Sequence, residues 1–487
     1  MSLSLALQIA QNSLLNTARQ TIVTSRNISE ASNENYVTRD AQVVSSEAGA
    51  RVVSIRRVTN DELFVQSLSA RSDSTSQSYV ADTTNRLQSL INGIENSTAP
   101  ATLISAFEDA LQLYATDPSN TLLASSAVSY AKDLADGLNT ASLVVQDFRA
   151  SIDQDIETAV GQLNDLLGQF EQVNNEIVQG TRVGNDVNDA LDRRDSLLRQ
   201  ISEFVSVSAV RRADNDIVLY TGQGVTLFET IPRTVSFEPQ SSFAPGVDGQ
   251  AIRIDGVPVI GGTGGNTSAT GALAAMVQMR DEVSLQVQSQ LDEIARGLIT
   301  TFAETDQSGG GGPALAGLFT YAGGPALPAA GTVSTGIAMT LGVNGLFDPD
   351  VGGDPQLLRD GGANGAAYVS NTTGGSGYAD RLIGYVEAMS DPLPTDINAG
   401  IAGTYSVAGY AEASLGWLES LRSNANASAE SKLALFDRLT QAHHSSTGVN
   451  IDEEMAILID LEQSYEASAR ILAAVGEMLD QLLAAVR

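Results

Sequence analysis

Residues 451–486 read IDEEMAILIDLEQSYEASARILAAVGEMLDQLLAAV, and within them Ile451, Leu458, Tyr465, Leu472, Leu479 and Val486 recur at strict seven-residue intervals. Met455, Glu462, Ala469, Gly476 and Leu483 fall between them and complete an a/d seam that is weak at the glutamate and the glycine. The spacing predicts a coiled-coil helix that opens after Ser445-Ser446-Thr447-Gly448. Asn450 or Asp452 can cap it, and Glu453 and Glu454 suit the positive end of the helix dipole. Ile471, Val475, Met478 and Leu482 lie off that seam, so the helix is apolar around more of its circumference than one partner covers.

A matching helix stands at the other end, where Leu3, Leu7, Ala10, Leu14, Ala18 and Ile22 share one stripe. Periodicity alone is equally compatible with two ordinary amphipathic helices of a globular bundle. The surplus apolar circumference favours a pair whose members also meet neighbouring molecules. Leu3, Leu7, Leu14 and Ile22, with Ile451, Met455, Leu458, Tyr465, Leu472, Leu479 and Leu483, are therefore the candidate assembly surface.

Between these ends the pattern changes several times. Residues 1–60 hold the first helix and a turn and, with the C-terminal helix of 446–487, make a terminal domain. Residues 61–204 are the first part of a helical body, with helical spacing clear from Ser76. A turn falls at Ala99-Pro100, and Asp117-Pro118 reads as the cap and first turn of a long helix reaching Val178. A shorter helix covers Asn188 to Phe204. Residues 205–270 alternate with period two and read as short strands, and after the glycine-rich joint Gly261 to Gly271 one long helix fills most of 271–305. Twenty-two of the chain's 44 glycines fall in 309–403, so 306–404 reads as a loop-rich β or irregular insertion; helix returns over 405–445. The expected fold is multidomain and mainly α with β-rich inserted material. Its order is nested, because body and terminal pair each draw on both halves of the chain.

Composition narrows the function classes. A net charge of −31 repels polyanions and anionic membranes, so nucleic acid is not an expected partner. The absence of cysteine excludes disulfides, thiolate metal sites and cysteine nucleophiles. The N-terminus lacks the features of a cleaved secretory signal, and the most apolar stretch, Ile471 to Val486, is too short and too interrupted to insert in a membrane. His443-His444 lacks the spacing of a helical zinc motif, Gly309 to Gly312 has no following Lys-Ser or Lys-Thr, and Gly222-Gln223-Gly224 lacks a third glycine. No nucleophile, base and orienting group can be named together, so no enzyme activity and no cofactor are expected.

Four segments carry a family resemblance. Ser25-Arg26-Asn27-Ile28-Ser29-Glu30-Ala31-Ser32-Asn33-Glu34-Asn35-Tyr36-Val37-Thr38-Arg39 is similar to the signature that follows the first helix of bacterial flagellar axial proteins, with Glu34-Asn35 replacing its usual Pro-Gly-like turn. Asp186 to Ser202, containing Leu191, Asp192, Arg194 and Asp195, resembles a helix of the hook-associated protein 1 (FlgK) family; flagellin and hook protein are not expected to share it. Gly271 to Ala303, with Arg280-Asp281, and Ser446 to Asp480 resemble two further helices of that family. Asn27, Ile28, Asn33, Tyr36, Leu191, Asp192, Arg194, Asp195, Arg280 and Asp281 are thus the family-motif residues.

The resemblance covers roughly 1–305 and 405–487. It implies an extracellular structural subunit at the hook–filament junction, exported unfolded by the flagellar type III route, with terminal (D0-like), body (D1-like) and inserted (D2-like) domains. It also implies self-association through the terminal helices, contacts with hook protein and the next hook-associated protein, and an export chaperone on the C-terminal helix. The terminal helices are then expected to be mobile in the monomer and to order on assembly. The alternatives are another axial subunit, flagellin or hook protein, and an exported adhesin or enzyme with its activity in 306–404.

Overall fold

The computed structural model describes residues 3–46, 49–260 and 270–486, so most of the glycine-rich joint after residue 260 lies outside the described residues. The chain is mainly helical, with small antiparallel sheets. It forms two compact units. Unit 1 comprises Met1–Thr75, Gln162–Thr234 and Ser431–Arg487; unit 2 comprises Ser76–Gly161 and Val235–Glu430.

In unit 1, helix α1 (Leu3–Ser29) is followed by a hairpin of β1 (Arg39–Ser46) and β2 (Gly49–Arg57), where the sequence was read as a turn alone. The strands pair antiparallel with Arg39 opposite Arg57, and a bulge falls between Gln42 and Val43. Arg51-Val52-Val53-Ser54-Ile55-Arg56 buries Val52 against α1 while Val53 faces out, which is the signature of a half-covered strand. Helix α2 (Asp61–Asn92) begins well before Ser76, because Asn60 accepts the Leu63 amide at 3.2 Å and Asp61 and Glu62 occupy the first turn.

Unit 2 begins within α2 and continues through α3 (Pro100–Thr116) into α4 (Thr121–Val183), whose last turns return to unit 1. Asn120, not Asp117, caps α4. Its Oδ1 accepts the Leu122 and Leu123 amides at 3.0 and 3.4 Å, whereas Asp117 closes α3. Asp117 accepts the Asn120 amide in a turn around Pro118, and that turn postpones the helix start. Gly137 on α4 is a close-approach position: a Cβ there would lie 2.3 Å from Leu103 Cδ1 of α3.

Helix α5 (Asn188–Phe204) and the antiparallel sheet of β3 (Val207–Arg211), β4 (Ile217–Thr221) and β5 (Thr226–Phe228) complete the middle of unit 1. Phe228 meets Phe170 of α4 edge-on at 5.0 Å. In unit 2, β6 (Val235–Ser236), β7 (Ile252–Ile254) and β8 (Val257–Ile260) form a second small sheet. The long helix expected over 271–305 is α6 (Ala272–Gln278) and α7 (Ser284–Thr301) joined by one π-helical turn, Met279–Val283. The Met279 carbonyl accepts the Ser284 amide across the wider turn and also Ser284 Oγ, the latter at 2.6 Å.

The glycine-rich stretch is irregular, with the two-residue pairs β9 (Phe319–Thr320) with β10 (Gly342–Val343) and β11 (Leu393–Pro394) with β12 (Thr404–Tyr405). It also contains short α8 (Leu357–Asp360) and an unforeseen three-turn helix, α9 (Asp380–Ser390). Its anchor is aromatic. Phe302, at the end of α7, packs against Phe107, Phe319 and Tyr385 with ring centroids 5.2, 5.4 and 4.8 Å away. Helix α10 (Val407–Thr447) starts in unit 2 and ends in unit 1, where α11 (Ile451–Val486) finishes the chain.

Beside the aromatic anchor, the buried Glu304 carboxylate accepts the amides of Gly362, Ala363 and Asn364 at 2.9, 3.2 and 2.9 Å. It also accepts Asn364 Nδ2 and Arg381 Nη2, each at 3.0 Å. Glu304→Ala strands the Arg381 charge and three part-buried backbone donors. It is expected to cost about 3–5 kcal/mol in urea unfolding, whereas Glu157→Ala on exposed α4 surface changes stability by no more than about 0.5 kcal/mol.

Candidate functional site

The strand-order reversal at the hairpin's open end places Arg39 and Arg57 side by side, and both reach the same face of α5. Asp189, Asp192 and Asp195 lie three residues apart on that helix, so they form one row. Arg26 Nη2 grips both oxygens of Asp189 at 2.7 and 2.8 Å; Arg39 bridges Asp189 and Asp192, the latter at 3.0 Å. Arg57 continues the row, with Nε 2.8 Å from Asp192 in an ionic contact too bent for a hydrogen bond, and Nη2 donating to Asp195 at 2.5 Å. Burial raises the Asp192 pKa despite Arg57 and Arg39. At the more open Asp189, the hydrogen bonds from Arg26 and Arg39 outweigh burial and lower it.

Asn27, at the end of α1, is buried and uses its whole hydrogen-bonding capacity. Nδ2 donates to the Arg39 carbonyl at 2.9 Å and to Glu454 Oε1 at 2.7 Å; Oδ1 accepts Tyr36 Oη at 2.8 Å and the Arg39 amide at 3.2 Å. One side chain thereby fixes the helix end, the start of β1 and the first turn of α11. The Arg39 guanidinium lies 4.8 Å from the Tyr36 ring centre, and the Thr38 amide donates to the last carbonyl of α10, that of Thr447, at 2.8 Å. Asn33 is exposed and shapes the intervening turn: its Oδ1 accepts the Asn35 amide at 3.0 Å. Ile28 and Leu191 are half-buried. Arg194 is fully buried, donating to Asn174 Oδ1 at 3.0 Å and to the Asn215 carbonyl at 2.5 Å, and burial lowers its pKa to about 10.

Arg280 and Asp281 occupy the π-turn of unit 2 and belong to a separate cluster. Arg280 is fully buried; it donates from Nε and Nη2 to the two oxygens of Asp281 at 2.9 and 2.6 Å, and from Nη1 to Asp153 at 2.5 Å. Its Nη2 also reaches the Gln250 carbonyl at 2.8 Å, and Asp153 accepts the Gln240 amide at 2.6 Å. The segment before β7 is thus stitched to α4 and the π-turn. Gly249 passes so near that a Cβ would lie 2.2 Å from Arg280 Cζ.

Helix α11 packs along α1. Its inward row is Glu454, Leu461, Ser468 and Val475, all buried, alternating with half-buried Leu458, Leu472 and Leu479. The seven-residue spacing is therefore real but its second row is shifted. Met455 and Leu483 are exposed, and Val475, read from sequence as off the seam, is only 3% exposed. A row at position 458 can be completed by either 455 or 461. Small α1 residues decide between them: Ala10 and Thr17 are buried, and Ser13 Oγ lies 2.7 Å from Ser468 Oγ. Of the α1 residues, Leu7 and Leu14 are half-buried and Ile22 is 68% exposed; the Leu3 side chain lies outside the described residues. Ile451 and Tyr465 are exposed, as are Ile457, Ile459, Ile471, Met478 and Leu482.

Sequence reading missed Arg39, Arg57, Asp189 and Glu454 as members of the network. The three-residue spacing of the aspartates and the arginines at both ends of the alternating stretch 39–57 were the available signals. Among the described residues no group of three or more His, Cys, Asp or Glu is arranged to hold a metal, and no helix is long and apolar enough to cross a membrane. His443 packs against Phe64 with ring centres 5.6 Å apart, and burial followed by nearby Arg199 lowers its pKa.

Two family models match the chain. Residues 84–314 match the flagellar hook-associated protein FlgK helical domain, and residues 440–485 match the C-terminal region of the flagellar basal body rod FlgEFG proteins. Both are built from subunits of the bacterial flagellum, and a first and last helix packed together fits that class of axial protein. Flagellar hook-associated protein 1 of Bacillus subtilis (strain 168) is 22% identical over 435 residues, covering 82% of this chain and 80% of that protein. The solved structure of the flagellar hook junction protein FlgK from Burkholderia pseudomallei shares the fold with a TM-score of 0.56 at 14% identity, over 78% of this chain and all of that one. Family model, relative and fold together support the family of flagellar hook-associated protein 1, FlgK.

Glu454 supplies a pH test of the network. Burial raises its pKa above the ordinary 4.5 although Asn27 and Thr24 bond to it, so the fold favours its protonated form. Its contribution to stability is complete below pH 4.5 and is lost as pH rises through the elevated folded value. Glu454→Gln keeps an acceptor for Asn27 without the charge. The variant is expected to melt higher than the parent at neutral pH, with the difference closing below pH 4.5; a gap that does not vary with pH contradicts the assignment.

Proposed function

We propose that this chain is the structural subunit that joins hook to filament in a bacterial flagellum. It acts outside the cell after export through the flagellar type III route, and it performs no catalysis. In this reading 1–60 and 446–487 form the terminal domain, whose two helices act as a coiled coil. Residues 61–204, 271–305 and 405–445 form the body, with 205–270 and 306–404 as material inserted in nested order. Each subunit meets others of its kind through the terminal helices, with hook protein on one side and the next hook-associated protein on the other. Before export, a chaperone covers the C-terminal helix.

The observation that carries this reading is the mismatch between what α11 buries and what it could bury. Its inward face is one narrow row that includes a glutamate and a serine, while Ile451, Met455, Ile459, Ile471, Met478 and Leu482 remain exposed. A lone surface leucine needs no explanation, but a long helix with large aliphatic side chains on several sides is built for several neighbours. A monomer gains little from such a pair, and assembly gains much.

Three outcomes follow. Met455→Asp/Ile459→Asp puts two charges on the outward face without touching the inward row; the variant is expected to fold and be secreted while cells producing it lose their filaments. Removal of residues 446–487 is expected to give the same loss. In the purified monomer, amides of 451–486 are expected to exchange orders of magnitude faster than those around Phe107 and Phe302, because the thin seam opens at low cost. Filamented cells with the double aspartate variant, or full protection of α11 in a confirmed monomer, overturn the reading.

A further inference from the structure

The hairpin side of unit 1 carries a groove of about 950 Å³ between α1, β2 and the loop leading into α5. Arg19 and Arg56 stand on its walls with exposed Ile22 and Val53, and Leu191 lies deeper. In a chain of net charge −31 a free cation is conspicuous. Arg26, Arg39 and Arg57 close by are all consumed by the aspartates of α5, but no carboxylate lies within 4 Å of Arg19 or Arg56 among the described residues. Asp40 stands opposite Arg56 in the hairpin register without such a contact. Arg211, also on the groove, is held only at 3.5 Å by exposed Asp61.

The complementary surface is on the same chain. Ile451, Met455, Ile459, Glu462 and Glu466 follow one another at four- and three-residue steps, so they share one flank of α11, beside the row that faces α1. The flank is apolar for its first two turns and acidic for the next; all five side chains are exposed. We infer that the groove lined by Ile22, Val53, Arg19 and Arg56 receives this flank of α11 from a second copy of the chain. The apolar residues supply burial and the two glutamates pair with the two arginines, in the manner of an amphipathic helix laid in a groove. The inference rests on the assembly reading above and adds to it the receiving surface.

Donor flank and receiving groove are different patches, so the contact is heterologous. Each copy gives a helix to one neighbour and takes one from another, and such a contact either closes a ring or propagates along a helix. A two-fold dimer does not arise from it.

The absence of native cysteine makes the test clean. In cells whose only copy carries Ser54→Cys in the groove and Met455→Cys on the flank, mild oxidation of assembled flagella is expected to link the chain into dimers and higher multimers, with either single variant giving none. Arg19→Glu/Arg56→Glu is expected to lower the number of attached filaments at least tenfold at unchanged secretion, and adding Glu462→Arg/Glu466→Arg to restore it severalfold. Assembled flagella with no cross-linked species overturn the groove assignment, whatever the charge variants do. Should Met455→Asp/Ile459→Asp abolish filaments while Arg19→Glu/Arg56→Glu retains them, the groove is wrong and the assembly reading stands. Should the aspartate pair also retain them, the assembly reading itself falls.

Discussion

Unit 1 depends on a single buried amide. Asn27 accepts two hydrogen bonds and donates two, and its four partners belong to the helix-end turn, to both backbone groups of Arg39 and to α11. Removal of such a group does not remove one bond; it orphans donors and acceptors on three segments at once, each costly when buried. Leucine is nearly the same size and could satisfy none of them. Aspartate would bring a second carboxylate against Glu454. The position therefore admits asparagine for reasons of valence, and the turn signature around it follows from what asparagine must reach.

The same junction explains how a thin helix pair keeps its register. Four buried positions of α11 include only two aliphatic side chains, Leu461 and Val475. Burial at about 25 cal/mol per Å² from so few groups hardly offsets the ordering of a 36-residue helix. What the seam lacks in area it gains in specification. Glu454 is held by Asn27 at one end, and Ser13 meets Ser468 midway. A polar contact at a defined height penalises every other sliding of one helix along the other. Weak association with strict register thus coexists with apolar sides of α11 that the α1 contact leaves exposed.

Legibility from sequence followed the same division. Helices with long periodic patterns were readable, and α5 was bounded correctly from Asn188 to Phe204 because its apolar and charged faces separate cleanly. The heptad of α11 was visible too, yet its partner row was not, because 455 and 461 satisfy the same spacing and only the small residues of α1 choose between them. The hairpin of 39–57 escaped because its strands carry charges where they touch α5, so the apolar alternation is interrupted at both ends. The motif residues were named, but not what they bind: Asp192 acquires its role from Arg39 and Arg57, more than a hundred residues away in sequence. Helix α9 was hidden by a glycine-rich context that governs its neighbours but not itself.

The scarcity of lysine, puzzling as a bare count of two, has a partial physical account in these clusters. Among the largest fully buried side chains are Arg149, Arg194, Arg280 and Arg296. Each is fixed by several acceptors at fixed angles: Arg280 joins two carboxylates and a carbonyl, and Arg296 grips Glu293 with two nitrogens while reaching the Pro394 carbonyl at 2.6 Å. A guanidinium presents its donors in one rigid plane and is weakly hydrated, so it can be buried among separate acceptors; an ammonium is a strongly hydrated point. The irregular segment 240–250 has few apolar side chains with which to hold itself to the helices. Its backbone carbonyls at Val247 and Gln250 become the handles, as the Pro394 carbonyl of β11 does for Arg296, and arginine is the side chain that can take hold of them.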